Sequence, residues 1–287
     1  MISVVIPAHN EENVIGRCLA ALLDGANPGE VEVIVVCNGC EDDTAAVARR
    51  FGPCVRVIET AVASKSNALN EGDDQAGGFP RFYVDADVVL RWPAVRSVAE
   101  VLERGDALVA APRLAVAVDG RPWAVRAYYE IWTRLPYHAD GTVGSGVYAL
   151  SALGRSRFER FPPIVSDDGY IRLLFPPEER ATVQSHTFEI MAPRSLRALI
   201  DIKTRSQKGL LELYDRFPEL RAHEHRSYRG ALQAIFSEPR LWPMFLLYSA
   251  LMAVTRLRAR RRYRGGRQNL WERDEGSRST FAGRGVR

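Results

Sequence analysis

Ile2-Ser3-Val4-Val5-Ile6-Pro7 and Val31-Glu32-Val33-Ile34-Val35-Val36-Cys37 are two apolar, β-branched runs that read as strands. An amphipathic stretch from about Asn13 to Leu23 predicts a helix between them, a second helix falls around Asp43–Phe51, and Val55–Ile58 gives a third short strand. The order is βαβαβ. Continuous β-branched strands joined by helices imply a parallel sheet covered on both faces, and such sheets bind ligands at the carboxyl ends of their strands. Three polar clusters fall at such ends: His9-Asn10-Glu11-Glu12, Asn38-Gly39-Cys40-Glu41-Asp42-Asp43 and Asp85-Ala86-Asp87.

Further along, a helix from about Ser64 to Glu71 leads into a strand over Arg81–Val84. Later strands are expected over Ala107–Ala111 and Val143–Leu150, and helices over Ser195–Phe217 and Tyr228–Phe236. No internal repeat is visible. The expected organisation is an α/β domain over residues 1–210, a helical extension over 211–255 and an arginine-rich, poorly ordered tail over 256–287.

With 287 residues, 46% of them hydrophobic and 26% charged, the chain can bury a full core and has a globular composition. Its formal net charge is +4, but residues 256–287 hold eleven arginines against Glu272, Asp274 and Glu275. The tail is therefore basic and the body net acidic, which argues against a nucleic-acid partner. Four cysteines (Cys18, Cys37, Cys40, Cys54) are few, and no charged segment followed by an apolar core opens the chain, so the expected compartment is the reducing cytosol. Cys37 and Cys40 have the spacing of half a zinc site but no second Cys/His pair at a fitting distance, and read as free thiols at a strand end.

Phe82-Tyr83-Val84-Asp85-Ala86-Asp87-Val88 puts two carboxylates at the end of an apolar strand, where both can reach one cation. Mg²⁺ and Mn²⁺ take oxygen ligands, and Mg²⁺ commonly uses one or two carboxylates, leaving the other positions to phosphates and water. Two acids in a solvated turn are common on their own. Here they follow, in order, the strand and turn Val4-Val5-Ile6-Pro7-Ala8-His9-Asn10-Glu11-Glu12, then Asn38-Gly39-Cys40-Glu41-Asp42-Asp43-Thr44, then Lys65-Ser66-Asn67-Ala68-Leu69-Asn70.

Together these four motifs resemble the family 2 glycosyltransferases over roughly residues 1–210. The resemblance implies a GT-A fold, that is, a Rossmann-like, mostly parallel sheet flanked by helices with a C-terminal helical appendage. It implies an inverting, metal-dependent transfer from a nucleoside-diphosphate-sugar to a sugar or lipid-linked acceptor, in cell-envelope glycan, polysaccharide or glycolipid synthesis. By the same resemblance Pro7, Ala8, Asn10, Glu11 and Asn38 hold the nucleoside, Lys65 lies near the donor phosphates or sugar, and Asp85 and Asp87 bind Mg²⁺ or Mn²⁺ with the donor. Cys37 stands where the family usually has an acid, which leaves the base open, with uridine as the first expectation. Lys65 also reads as a solvated surface lysine, and Asn67 and Asn70 as donor contacts or turn caps.

Gly141-Thr142-Val143-Gly144-Ser145-Gly146-Val147-Tyr148 is glycine-rich but lacks the helix that follows a dinucleotide loop, and no phosphate-loop motif occurs. By resemblance it lines the donor-sugar and acceptor side. Val165-Ser166-Asp167-Asp168-Gly169-Tyr170 matches the family's acidic pair about eighty residues after the metal motif. Asp168 takes the role of general base there, with Asp167 as orienter or second choice, because a single displacement needs a carboxylate within reach of the acceptor hydroxyl. Ser166-Asp167-Asp168 also reads as the cap of a helix over Gly169–Phe175. Lys203, Arg205 and Lys208 lie where relatives hold the diphosphate, and His186 where some relatives place a third metal ligand, though a lone histidine also reads as structural. His223-Glu224-His225 fits a surface loop. Gln207 is followed by Lys208-Gly209 rather than the Gln-x-x-Arg-Trp of processive synthases, so one sugar is expected per encounter.

A nucleotidyltransferase would carry a glycine-rich, basic loop after the first strand, where this chain has the acidic Ala8-His9-Asn10-Glu11-Glu12. A catalytically idle nucleotide-sugar-binding protein at the membrane would lose carboxylates, yet Asp85, Asp87, Asp167 and Asp168 are all present. Finally, Leu241–Thr255 is an uncharged run of fifteen residues followed by seven arginines between Arg256 and Arg267. It is shorter than the roughly 20 residues that span a bilayer, so the expectation is peripheral attachment to the inner face of the cell membrane through apolar and basic side chains. The alternative is a helix packed on the body.

Overall fold

The computed structural model describes residues 1–135, 144–224 and 228–265. In chain order they form β1 (Ile2–Ala8), α1 (Ile15–Leu23), β2 (Val31–Asn38), α2 (Thr44–Arg49), β3 (Val55–Thr60), α3 (Lys65–Gln75), β4 (Arg81–Val84), β5 (Val89–Leu90), α4 (Trp92–Glu103) and β6 (Val109–Ala117). There follow α5 (Trp123–Trp132), β7 (Val147–Leu150), α6 (Ala152–Arg155), α7 (Asp167–Leu174), β8 (Arg180–Met191), α8 (Leu196–Arg216), α9 (Arg229–Phe236) and α10 (Trp242–Arg264).

The strands make one sheet in the order β3-β2-β1-β4-β7-β6-β8-β5. β3, β2, β1 and β4 run parallel, as the continuous β-branched runs require: every residue of β1 is buried, so neither face of that strand meets water. β7 then enters antiparallel between β4 and β6, and β5 closes the far edge antiparallel to β8. The sheet is thus mixed, with its parallel half built from the first eighty residues. α1 places Ile15, Cys18, Leu19 and Leu22 on one stripe and packs with α4 over one face of the sheet. α3 and α7 cover the other face.

Two helix starts are fixed by serines. Ser64 Oγ accepts from Asn67 N–H at 3.3 Å to cap α3, and Ser195 Oγ accepts from Ala198 N–H at 3.1 Å to cap α8. Behind β4, the buried Asp73 carboxylate joins Arg81 and Arg155, each at 2.6 Å, and accepts from Tyr83 Oη. This knot ties α3, β4 and α6 together.

A third cluster lies to one side of the sheet, where α5, α8 and α10 meet through Tyr128, Tyr129, Leu199 and Leu251. α10 does not stop at Thr255. It runs through the arginines to Arg264, because Arg is a good helix former and the inner face continues as Thr255 and Ala259, with Arg258 pairing Asp201 of α8 at 3.2 Å. The tail expected from residue 256 is therefore helical in its first nine residues, and its remainder, 266–287, lies outside the described residues. Among the described residues no helix is long and apolar enough to cross a membrane.

Candidate active site

β1 and β2 end side by side, Ala8 opposite Cys37, and β4 ends one residue before Asp85. A cavity of about 560 Å³ opens at these ends, within the range of small-molecule sites. Pro7, Glu11, Lys65, Asp85, Asp87, Asp167, Asp168 and Arg205 all line it.

Its centre is a lysine between carboxylates. Lys65, the first residue of α3, puts Nζ 2.7 Å from Asp85 Oδ1 and 2.9 Å from Asp167 Oδ1. Burial works against the ammonium, but the charges of Asp167, Asp85 and Asp168 outweigh it and hold its pKa above the usual lysine range. Asp167 is buried and also accepts from Tyr148 Oη at 3.3 Å. Burial lifts its carboxyl to about 6, with Lys65 pulling the other way and Asp168 and Asp85 adding to the rise.

Asp168, the next residue on α7, is turned differently. Its Oδ2 accepts from Ser145 N–H at 3.0 Å and its Oδ1 from Gly169 N–H at 2.7 Å, while the side chain borders the cavity. The segment 144–146 is the strap between the two acidic sites: Asp85 N–H donates to Gly146 O at 2.8 Å while Ser145 holds Asp168. All three residues have positive φ (126°, 61° and 100°). A Cβ at Gly144 would meet Asp168 Oδ2 at 3.3 Å, and one at Gly146 would meet Val88 Cγ2 at 3.0 Å and Asp85 Oδ2 at 3.3 Å. Glycine is what lets the backbone pass between the carboxylates. The strand expected over Val143–Leu150 accordingly begins only at Val147, and residues 141–143 lie outside the described residues.

Several expected site residues are elsewhere. Asn38 is fully buried and spends its amide on the backbone, donating to Ala8 O at 2.7 Å, and Ala8 is buried beneath it. Asn10, at φ 55°, accepts from Glu41 N–H at 2.7 Å. Ala8, Asn10 and Asn38 thus brace the two strand ends against each other rather than bordering the cavity. Asn70 bonds both backbone groups of Phe161, and Asn67 donates to Glu71 at 2.7 Å.

His186 is not brought to Asp85 and Asp87. It lies on β8 against α4, its Nδ1 2.9 Å from Ser97 Oγ. Among the described residues no three His, Cys, Asp or Glu side chains converge as a metal group. Ser166 precedes α7 but makes no side-chain cap, its hydroxyl leaning 3.4 Å from Asp168 Oδ1. His223 places Nδ1 2.8 Å from Leu173 O, and His225 lies outside the described residues.

The sequence reading missed the far wall of the cavity. Tyr128, Tyr129 and Trp132 of α5 and Tyr248, Met252 and Arg256 of α10 border it, beside Lys203 and Lys208 of α8, which the sequence had already singled out. The signal was the Tyr-Tyr-x-x-Trp spacing, which puts three rings on one helix face, but α5 itself was not anticipated. The cavity therefore has an acidic side at the strand ends and an aromatic, basic side on the helices.

Comparison with known proteins bears on the fold and the family. The curated 4,4'-diaponeurosporenoate glycosyltransferase of Staphylococcus aureus (strain MRSA252) is 30% identical over 170 residues, 57% of this chain and 42% of that protein. Glycosyltransferase AglE of Haloferax volcanii is 33% identical over 91 residues, 30% of each chain. The chain spans less than half the length of these curated relatives. Among solved structures, mannosyltransferase PcManGT from Pyrobaculum calidifontis, in complex with GDP-Man and Mn²⁺, superposes with a TM-score of 0.62 at 16% identity, covering 93% of this chain and 88% of that one. Glucosyl-3-phosphoglycerate synthase from Mycobacterium tuberculosis, in complex with Mn²⁺, UDP and glucosyl-3-phosphoglycerate, gives 0.55 at 20% identity over 75% and 79%. These likenesses establish the GT-A fold. The sequence model of glycosyl transferase family 2 matches residues 3–160, more than half the chain, and the chain belongs to that family.

Proposed function

We propose that this chain is an inverting glycosyltransferase that moves one sugar from a nucleoside-diphosphate-sugar, with uridine as the first base to test, to a hydroxyl of its acceptor. The carrying observation is the division of labour between two neighbouring acids that both border the cavity: Asp167 is paired with Lys65, whereas the Asp168 oxygens accept from the Ser145 and Gly169 amides. Asp168 is the group that accepts the acceptor's proton as its oxygen attacks the anomeric carbon, and the Ser145 and Gly169 amides stabilise its negative form. Lys65 and Asp167 hold Asp85 in place, while Pro7 and Glu11 border the donor end, with Arg205 on the helical side for the diphosphate.

Asp85 and Asp87 suit a divalent cation. Both border the cavity, both offer hard oxygen, and with no third His, Cys, Asp or Glu grouped with them among the described residues the remaining positions suit phosphate and water. Mg²⁺ or Mn²⁺ held there would offset the charge on the departing nucleoside diphosphate. The Mn²⁺-bound, nucleotide-bound structures that share the fold support this reading. The test is calorimetric titration of UDP and GDP with Mn²⁺, repeated with chelator and with Asp87→Ala. Affinity should fall sharply in both cases, and unchanged nucleotide binding would remove the metal assignment.

The acceptor reading is of a lipid-linked molecule met at the membrane surface. α10 exposes Trp242, Leu246, Val254 and Leu257 along its outer side and leads into arginines, while Tyr248 and Met252 on its inner side border the cavity. An apolar stripe ending in positive charge suits an anionic bilayer face.

A further inference from the structure

Lys203 and Lys65 border the same cavity with different partners. Lys65 has two carboxylates at salt-bridge distance. The Lys203 ammonium has ring faces instead: Trp132 at 3.8 Å, Tyr129 at 5.4 Å and Tyr128 at 5.5 Å from the ring centroids. No hydrogen-bond acceptor or carboxylate pairs with it among the described residues. Burial pushes its pKa down to about 7, with Asp168 acting in the opposite sense. The rings favour the charged form. A cation so placed, on the border of a cavity and with no carboxylate beside it among the described residues, is matched by an anion arriving from that cavity.

The surroundings say what the rest of the arriving molecule is like. The three rings pack edge to face and stacked, Tyr129 and Trp132 at 5.3 Å, and Tyr248 of α10 joins Tyr128 at 5.1 Å. Met252 receives the Tyr128 hydroxyl at 3.7 Å and borders the same space. This is a largely aromatic lining in which Lys203 lies against the rings, with Arg256 on the same wall. Lys203 and Asp168 border the same cavity, and Asp168 is the carboxylate whose charge acts on the lysine.

We propose that this recess is the acceptor subsite and that it takes an amphiphile whose apolar portion lies against Trp132, Tyr248 and Met252 and whose acidic group, a phosphate or carboxylate, pairs with Lys203. The inference rests on the glycosyltransferase reading and assigns Lys203 to the acceptor rather than to the donor diphosphate. An acid on the acceptor fixes the molecule at one end, and its hydroxyl is then delivered to Asp168.

The test is calorimetric titration of the full chain with dodecyl phosphate, dodecanoate and inorganic phosphate, the amphiphiles kept below micelle formation, alongside UDP with Mn²⁺. Saturable binding of an amphiphile is expected, with the tighter of the two naming the acidic group. Lys203→Met should weaken it about 10- to 100-fold, the worth of a hydrogen bond to a charged group. Lys203→Arg should retain most of the affinity, and UDP should bind both variants as it binds the parent. Equal amphiphile affinity in Lys203→Met, or inorganic phosphate binding as tightly as dodecyl phosphate, overturns the proposal. So does a loss of UDP affinity in Lys203→Met, which returns the lysine to the donor. If no nucleotide binds the parent chain while the amphiphile does, the glycosyltransferase reading fails and the recess is a lipid site of another kind.

Discussion

Replacing Lys65 by Met keeps the side chain's length and removes the charge that Asp85 and Asp167 share. Asp167 is 4% exposed, and breaking a buried pair from one side costs about 3–5 kcal/mol, since the remaining charge is left without compensation. Lys65 itself is 22% exposed and Asp85 37%, which places the loss near the lower end, about 3 kcal/mol at pH 8. For a chain of this size that is a fall in Tm of about 5 °C. The loss depends on pH in a defined direction. In the parent, burial lifts Asp167 to about 6, above its ordinary value, and Lys65 restrains the rise. Without Lys65 the folded carboxyl holds its proton to higher pH. Below about pH 6 both proteins carry the proton when folded and lose stability with pH in parallel, because the unfolded state has released it. Above that point the parent has released it too, while the variant keeps falling by about 1.4 kcal/mol per pH unit until its own folded pKa is passed. Urea unfolding of both proteins at pH 5.5 and pH 8 measures the two deficits. Equal deficits at the two pH values, or a variant as stable as the parent at pH 8, would refute the reasoning.

Asp168→Asn should bind nucleotide as the parent does and lose about 10²–10⁴ in turnover, since an amide cannot take the proton. NMR of the product anomer reads the same assay, and a retained configuration would reject the single displacement. Gly146→Ala forces a Cβ against Val88 and Asp85 at φ 100°, so it should destabilise by about 1–3 kcal/mol in urea titrations, whereas Gly120→Ala, at φ 68° but with open space around it, should cost less. Leu246→Glu with Leu257→Glu, both on the outer side of α10, should abolish flotation on anionic vesicles with an unchanged Tm. Flotation that persists in this double variant would count against attachment through that face.

The parallel half of the molecule was legible because its strands are buried on both faces and leave continuous β-branched runs. Arg81–Val84 has the expected boundaries, and Ser64 and Ser195 mark the helix starts. The other half gave a weaker signal for physical reasons. β8 carries the exposed Gln184 and Ser185 and the half-buried His186 and pairs with β6 across a register break between Pro112 and Arg113. Nothing in the spacing of His186 tells on which side of the sheet its ring falls, and the ring faces Ser97. For Asn38, sequence placed a polar group at a strand end but not its direction, and the side chain turns inward to the Ala8 carbonyl. Lys65 allowed two readings until Asp167, about a hundred residues later in the chain, was seen beside it. The aromatic wall escaped notice because it needs three helices distant in sequence to meet.

That meeting divides the cavity into two materials with different tolerance to change. On the strand side the carboxylates are held by backbone groups, Asp85 N–H to Gly146 O and Ser145 N–H to Asp168 Oδ2, and by the Lys65 bridge, so substitutions there disturb their spacing. On the helical side the surface consists of side chains alone, and α8 and α10 lie outside the 3–160 segment that carries the family match. Variation at Trp132, Tyr248 and Met252 reshapes one wall and leaves the other untouched. On the proposed acceptor reading, a combinatorial library confined to those three positions is the direct route to a changed acceptor range.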